Sequence, residues 1–186
     1  QNYKLHDWFQ TPPGRYLLAW EREQLDLAVA DIFGFHALQL GLPELDGLAA
    51  NRMPHRWLAT HSPAAGAAFV TDYSALPFPA NSLDLVVLPH ALELSADPHT
   101  TLREVERVLV PEGRVIISGL NPASLWGLRQ QRGRWCQRLG FGELFLPENG
   151  DFIGYWRLRD WLRLLSFEVE TGRFGCYRPP MRSDQW

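Results

Sequence analysis

Cysteine and methionine are scarce, with two of each in 186 residues. Cys136 and Cys176 are far apart in the chain, so they form neither a disulfide framework nor a zinc-ligand pattern, and a reducing compartment is expected. No apolar run approaches the roughly 20 residues that a membrane-spanning helix needs. The opening Gln1-Asn-Tyr-Lys-Leu-His6 lacks the basic start and apolar core of a signal peptide. These absences predict a cytoplasmic protein with no membrane partner. An excess of basic charge is also missing: the formal net charge is -3, which gives no bulk reason to expect nucleic acid. The six histidines are scattered without metal-ligand spacing, so no metal is expected, even at His55 and His61. There is no G-x-G-x-x-G, which disfavours a nicotinamide enzyme, and neither a Walker-type lysine loop nor a G-x-S-x-G nucleophile elbow. Repeats, low-complexity tracts and linkers are absent, so residues 1–186 are expected to form one domain.

What is present suits a sizeable core. The hydrophobic fraction is 46% and the charged fraction 21%, ordinary for a globular chain. Tryptophan is abundant, at 8 residues, and large aromatics chiefly fill cores. Residues 1–34 are expected to be helical, with apolar positions over 7–31 at helical spacing and a break at Pro12-Pro13-Gly14. Residues 35–120 carry the sheet. His36–Leu40 predicts a buried strand, Pro43-Glu44 a helix start, and Arg56–Thr60 and Ala68–Asp72 two further strands. Ser82–Leu88 and Arg114–Ser118 are apolar without alternation, as in parallel strands covered on both faces. The strands near 69–72, 83–88 and 114–118 are expected to be neighbours at the sheet centre. Between the last two, Asp97-Pro98 predicts a capped helix start, Thr101 and Glu104 have capping-box spacing, and Pro111-Glu112-Gly113 marks the helix end. Residues 121–186 are looser: a helix over 123–138, a glycine-rich loop over 139–155, a helix over 155–165 and an outer strand over 167–174. The helix over 123–138 bears Arg129, Arg132, Arg134 and Arg138 around Trp135, which a solvated face explains better than an anion site.

Strand, helix and strand in this order predict a doubly wound, mostly parallel α/β sheet of the Rossmann-like kind. After Arg178-Pro-Pro180 too little chain remains for a seventh strand. The last strand is therefore expected to be missing, or the natural chain to be longer.

One block resembles a known family. Asp72, Leu76-Pro77-Phe78, Ser82–Val87, Leu102-Arg103-Glu104-Val105 and Arg107–Arg114 resemble, in order and spacing, the type 11 family of class I S-adenosylmethionine-dependent methyltransferases. That group includes quinone-biosynthesis C-methyltransferases. The resemblance implies S-adenosylmethionine as cofactor and a small-molecule methyl acceptor. It implies that Asp72 accepts a hydrogen bond from the adenine amino group, with Tyr73 beside it, and that Leu88, Pro89 and His90 lie near the departing methyl. Ligands at the carboxyl ends of parallel strands follow the same rule. His90 is the candidate catalytic residue, a base of suitable pKa range, with Glu93 as a weaker alternative; a loop-ordering histidine is the structural alternative.

The cofactor loop departs from the family. An acidic-x-Gly-x-Gly-x-Gly pattern is expected after the first strand, but here Gln39-Leu40-Gly41-Leu42-Pro43-Glu44-Leu45 keeps only the first glycine. Gln39 and Gly41 stand at the cofactor-binding positions. Pro43 removes an N–H donor, and Glu44 would repel the cofactor carboxylate. At the end of the second strand, Thr60 or His61 replaces the acid that would hold the ribose. The sequence therefore predicts methyl transfer with weak cofactor affinity. The alternative from another class is an inactive relative of the fold that serves as a binding or scaffold module without the cofactor.

Overall fold

The computed structural model describes residues 3–124, 126, 129, 132 and 152–176. It contains a five-stranded, wholly parallel sheet in the order β3-β2-β1-β4-β5. The strands are β1 (His36–Leu40), β2 (His55–Thr60), β3 (Phe69–Val70), β4 (Leu83–Pro89) and β5 (Leu109–Ser118). The helices are α1 (Tyr3–Phe9), α2 (Pro12–Val29), α3 (Ala91–Leu94), α4 (Pro98–Val108) and α5 (Tyr155–Leu164). This is the doubly wound architecture expected from the apolar strands.

Both faces of the sheet are covered, which is why β1 and β4 do not alternate in hydrophobicity. Ala37, Leu85 and Val87 face a core built with Leu17, Leu25 and Val29 of α2, Phe9 of α1 and Leu45 and Leu48. Leu38, Leu40, Leu83, Val86 and Leu88 face the other core, with Leu102, Val105 and Val108 of α4 and Leu162 of α5. Each pair of neighbours along β1 or β4 thus divides between two cores.

The expected central trio is corrected. β4 and β5 are neighbours, but β3 lies on the opposite edge, beyond β2 and β1. β1 takes the place beside β4 because Ala37, Leu38 and Leu40 are wholly buried on both faces. The order then runs one way through β2 and β3 and the other through β5, so the carboxyl ends of β1 and β4 flank the switch point.

Other differences are local. The predicted N-terminal helix is two helices, because Thr11 caps α2: its Oγ1 accepts from Gly14 N at 3.3 Å and donates to Trp8 O at 2.6 Å. The helix expected from Pro43 is absent. Leu42 has φ 51°, and successive turns close through Leu45 N to Leu42 O, Ala49 N to Asp46 O and Asn51 N to Leu48 O. α4 starts at Asp97, whose carboxylate accepts from Thr100 N at 3.1 Å, so Thr101 and Glu104 form no capping box. Glu104 instead pairs with Arg107 at 2.6 Å and accepts from Leu76 N. Arg107 in turn donates to the carbonyls of Leu76 and Phe78, which fixes the loop after β3. Pro111-Glu112-Gly113 lies within β5 as an irregularity, between the Leu83–Leu109 and Leu85–Arg114 pairs. Among the described residues, 167–174 join no ladder, although Phe167 and Val169 pack on the second core and Glu170 pairs with Arg114 at 2.9 Å. The β edge they were expected to extend is thus met by side chains alone. Trp126, Arg129 and Arg132 are helical. Cys136, Arg134, Arg138, the loop over 139–151 and Arg178–Pro180 lie outside the described residues.

Candidate active site at the carboxyl ends of β1 and β4

α2 runs across β1 and β4, and it presents Leu17, Glu21, Leu25 and Val29 to the interior, one every four residues. Leu25 and Val29 meet the sheet, whereas Glu21 reaches the turn after β4. There His90 occupies a left-handed conformation, φ 53°, and its N–H is fixed to Ser118 O at 3.0 Å. Its ring is clamped from both sides. Nε2 lies 2.8 Å from Glu21 Oε1 and Nδ1 lies 2.8 Å from Glu93 Oε2. The other oxygen of Glu93 accepts from Leu120 N. Phe9 of α1 closes on the imidazole edge to face, with centroids 6.0 Å apart, and Trp8 and Trp126 extend the aromatic cover.

The three charged residues are all buried. Burial opposes charge on the His90 ring, but the carboxylates of Glu21 and Glu93 outweigh it and hold its pKa well above the ordinary value. Both ring nitrogens are thus engaged by carboxylate oxygens. The clamp places His90 as a residue that orders this turn, the alternative set beside its use as a base. Glu93 is likewise engaged at both oxygens. Glu21 was not anticipated; its signal is a carboxylate inside the apolar Leu17–Val29 stripe. Glu21 Oε2 and Ser118 Oγ are buried and have no hydrogen-bond partner among the described residues.

The expected cofactor residues are spread along the same ends of the sheet. Gln39 is buried, and its Nε2 donates to the carbonyls of Gly41, Leu42 and Leu45 at 2.9, 3.1 and 2.7 Å. Its Oε1 accepts from Gly47 N at 2.8 Å. One side chain therefore holds the whole divergent loop. Gly41 has φ +83°, and its N–H donates to Ala59 O at 2.8 Å. A Cβ there would fall 3.0 Å from the hydroxyl of Tyr73, so glycine is required by both conformation and space. Tyr73 is buried beneath this turn and stacks on His61 with centroids 3.6 Å apart. Burial pushes the Tyr73 phenol up and the His61 imidazole down in pKa. Thr60 donates to Ser62 O at 2.7 Å. Leu88 packs in the second core, and Pro89 pairs with Ser118 on β5. Glu44 is held by His6 of α1 at 2.5 Å.

Asp72 differs from these in being exposed. Its Oδ1 accepts from Ser74 N and Oγ at 2.9 and 2.8 Å, which lowers its pKa and keeps it anionic. Its Oδ2 has no hydrogen bond among the described residues.

A methyltransferase-domain family model matches residues 47–117, beginning where the divergent loop ends. The fold is that of a methyltransferase from Thermotoga maritima, a possible histamine N-methyltransferase, with TM-score 0.68 and 16% identity over 88% of this chain and 76% of that one. By this match and this fold the chain is similar to class I methyltransferases. An uncharacterized protein of Escherichia coli, YafS, is 34% identical over 87% of this chain and 65% of its own length. A malonyl-[acyl-carrier protein] O-methyltransferase of Halorhodospira halophila is 41% identical over 36% of this chain and 21% of its own. The chain therefore spans just under two thirds of the first of those relatives and about a fifth of the second. Among its described residues no helix is long and apolar enough to cross a membrane.

Proposed function

We propose that the chain binds S-adenosylmethionine at the carboxyl ends of β1 and β4 and transfers its methyl group to a small molecule. The observation that carries this is Asp72, an exposed carboxylate with one oxygen available, within the matched block just after β3. A carboxylate suits the adenine amino group, which only donates. Gly41 brings the backbone close, and the loop over 76–78 is pinned by Arg107. The residues fit the adenosine end of the cofactor. At the amino-acid end fewer donors remain: the Gly41 N–H is committed to Ala59 and Pro43 has none. When bound, the cofactor supplies a reactive methyl on a sulfonium; the protein aligns it and excludes water.

Calorimetric titration tests this reading. Binding is expected with a dissociation constant weaker than about 10 μM, because a loss near 3 kcal/mol is about a hundredfold. Asp72→Ala should weaken it by a further 1–3 kcal/mol or so. Affinity unchanged in that variant, with circular dichroism intact, would remove Asp72 from the site. A low micromolar or tighter constant for the wild type would contradict the account of the loop. No heat at millimolar cofactor would favour the second reading, a binding module without the cofactor. The closed Gln39 loop is the observation on that side.

A further inference from the structure

Glu21 poses a problem that the cofactor does not solve. The buried Glu21–His90–Glu93 cluster sets two carboxyl groups against one imidazole, each 2.8 Å from a ring nitrogen. Every polar side-chain atom of His90 and Glu93 is paired. The remaining capacity is concentrated in a single atom, Glu21 Oε2, buried and unpartnered among the described residues. Such an atom is costly unless something meets it. Its surroundings are apolar on the α1 side, where Phe9 covers His90. On the other side the segment after α5 crosses α2. There a Cβ on Gly175 would fall 2.0 Å from the Trp20 ring, and burial together with the Glu21 charge pushes the Cys176 thiol up to about 12.

We propose, resting on the methyltransferase reading above, that Glu21 Oε2 meets the methyl acceptor and takes the proton from its reacting nitrogen or oxygen. His90 is then the positioning residue. It fixes Oε1, so that Oε2 is turned to the acceptor at the end of β4. The expected acceptor is an amine or hydroxyl carried on an apolar body. In the step, the acceptor atom forms its bond to the methyl carbon and the carbon–sulfur bond breaks, leaving a neutral thioether. The acceptor's proton passes to Glu21. The positive charge of the sulfonium and the negative charge of the carboxylate disappear together, so the buried site ends the reaction with no added charge.

Sinefungin, an analogue of the cofactor, tests this without knowledge of the acceptor, because an ammonium-bearing carbon replaces its methylsulfonium. S-adenosylhomocysteine has no charge at that point. The wild type is expected to prefer sinefungin by at least about tenfold, as a charge-assisted hydrogen bond would give. Glu21→Gln should abolish that preference while leaving S-adenosylhomocysteine affinity within about twofold. A preference that persists in Glu21→Gln, or is missing in the wild type, overturns the proposal. Should Glu21→Gln fail to fold, Glu21→Asp keeps the charge but withdraws the oxygen by one methylene. A preference as large as wild type in that variant is equally fatal. If neither nucleoside binds the wild type, the methyltransferase reading fails, and this proposal with it.

Discussion

Replacing His90 by asparagine is expected to cost about 3–5 kcal/mol of folding stability, the usual penalty for removing one partner of a buried ionic group. Asparagine is the informative substitution because residue 90 has φ 53°, a conformation that it tolerates better than most side chains. The loss then reports the imidazolium rather than the backbone. Without it, Glu21 and Glu93 face each other across an apolar pocket, one with an oxygen already unpartnered. The same cluster makes stability depend on pH. The folded-state pKa of His90 is raised, so its contribution is fully present below the ordinary value of 6.5 and is lost as pH rises through the raised value. The groups facing the ring are Glu21 from α2 and Glu93 from α3, and the Cys176 thiol feels the same charge. Urea melts between about pH 6 and about pH 10 should show wild-type stability falling on the alkaline side, and His90→Asn should flatten that fall. A variant within about 1 kcal/mol of wild type, with an unchanged pH profile, would show that the clamp is not a charged unit.

The parts of the fold that were legible share one physical cause. β4 is a buried parallel strand and the second half of β5 is half-buried, and Leu85–Leu88 and Val115–Ile117 carry that burial as unbroken apolar runs. α4 was legible from Asp97-Pro98, since a cap and a first-turn proline are local. Sheet order was not, because β3 contributes only Phe69 and Val70 and its apolar stretch does not say which neighbour it has. The strand expected over 167–174 had the correct alternation, yet alternation does not supply a ladder partner. At the candidate site, Gly41 and Asp72 are proposed through the family pattern. Glu21 was hidden because its partner lies 69 residues away in the chain. The actual condition of His90 was hidden too, since proton affinity depends on which carboxylates the fold brings to the ring.

Gln39 illustrates the same point and gives the second large effect. The family resemblance places an acidic residue at this position, so Gln39→Glu would restore the pattern. In this chain it should be the most damaging of the conservative changes. The Nε2 group of Gln39 faces three carbonyl oxygens, those of Gly41, Leu42 and Leu45. A carboxylate there would set negative charge against three acceptors, with only the Gly47 N–H to compensate. Gln39→Leu keeps approximate volume and leaves those same groups without a side-chain partner, at about 1–3 kcal/mol for each that water cannot reach. Gln39→Glu adds a charge that the buried site cannot solvate, so it is expected to exceed Gln39→Leu, with several kcal/mol lost overall. It should also recover on acidification, since a protonated carboxyl can donate to one carbonyl. Denaturant midpoints of both variants at about pH 5 and about pH 8 check this. If Gln39→Glu is as stable as wild type at the higher pH, the loop rearranges around an acid. The donor pattern that Gln39 imposes would then be a preference of this sequence rather than a requirement of its fold.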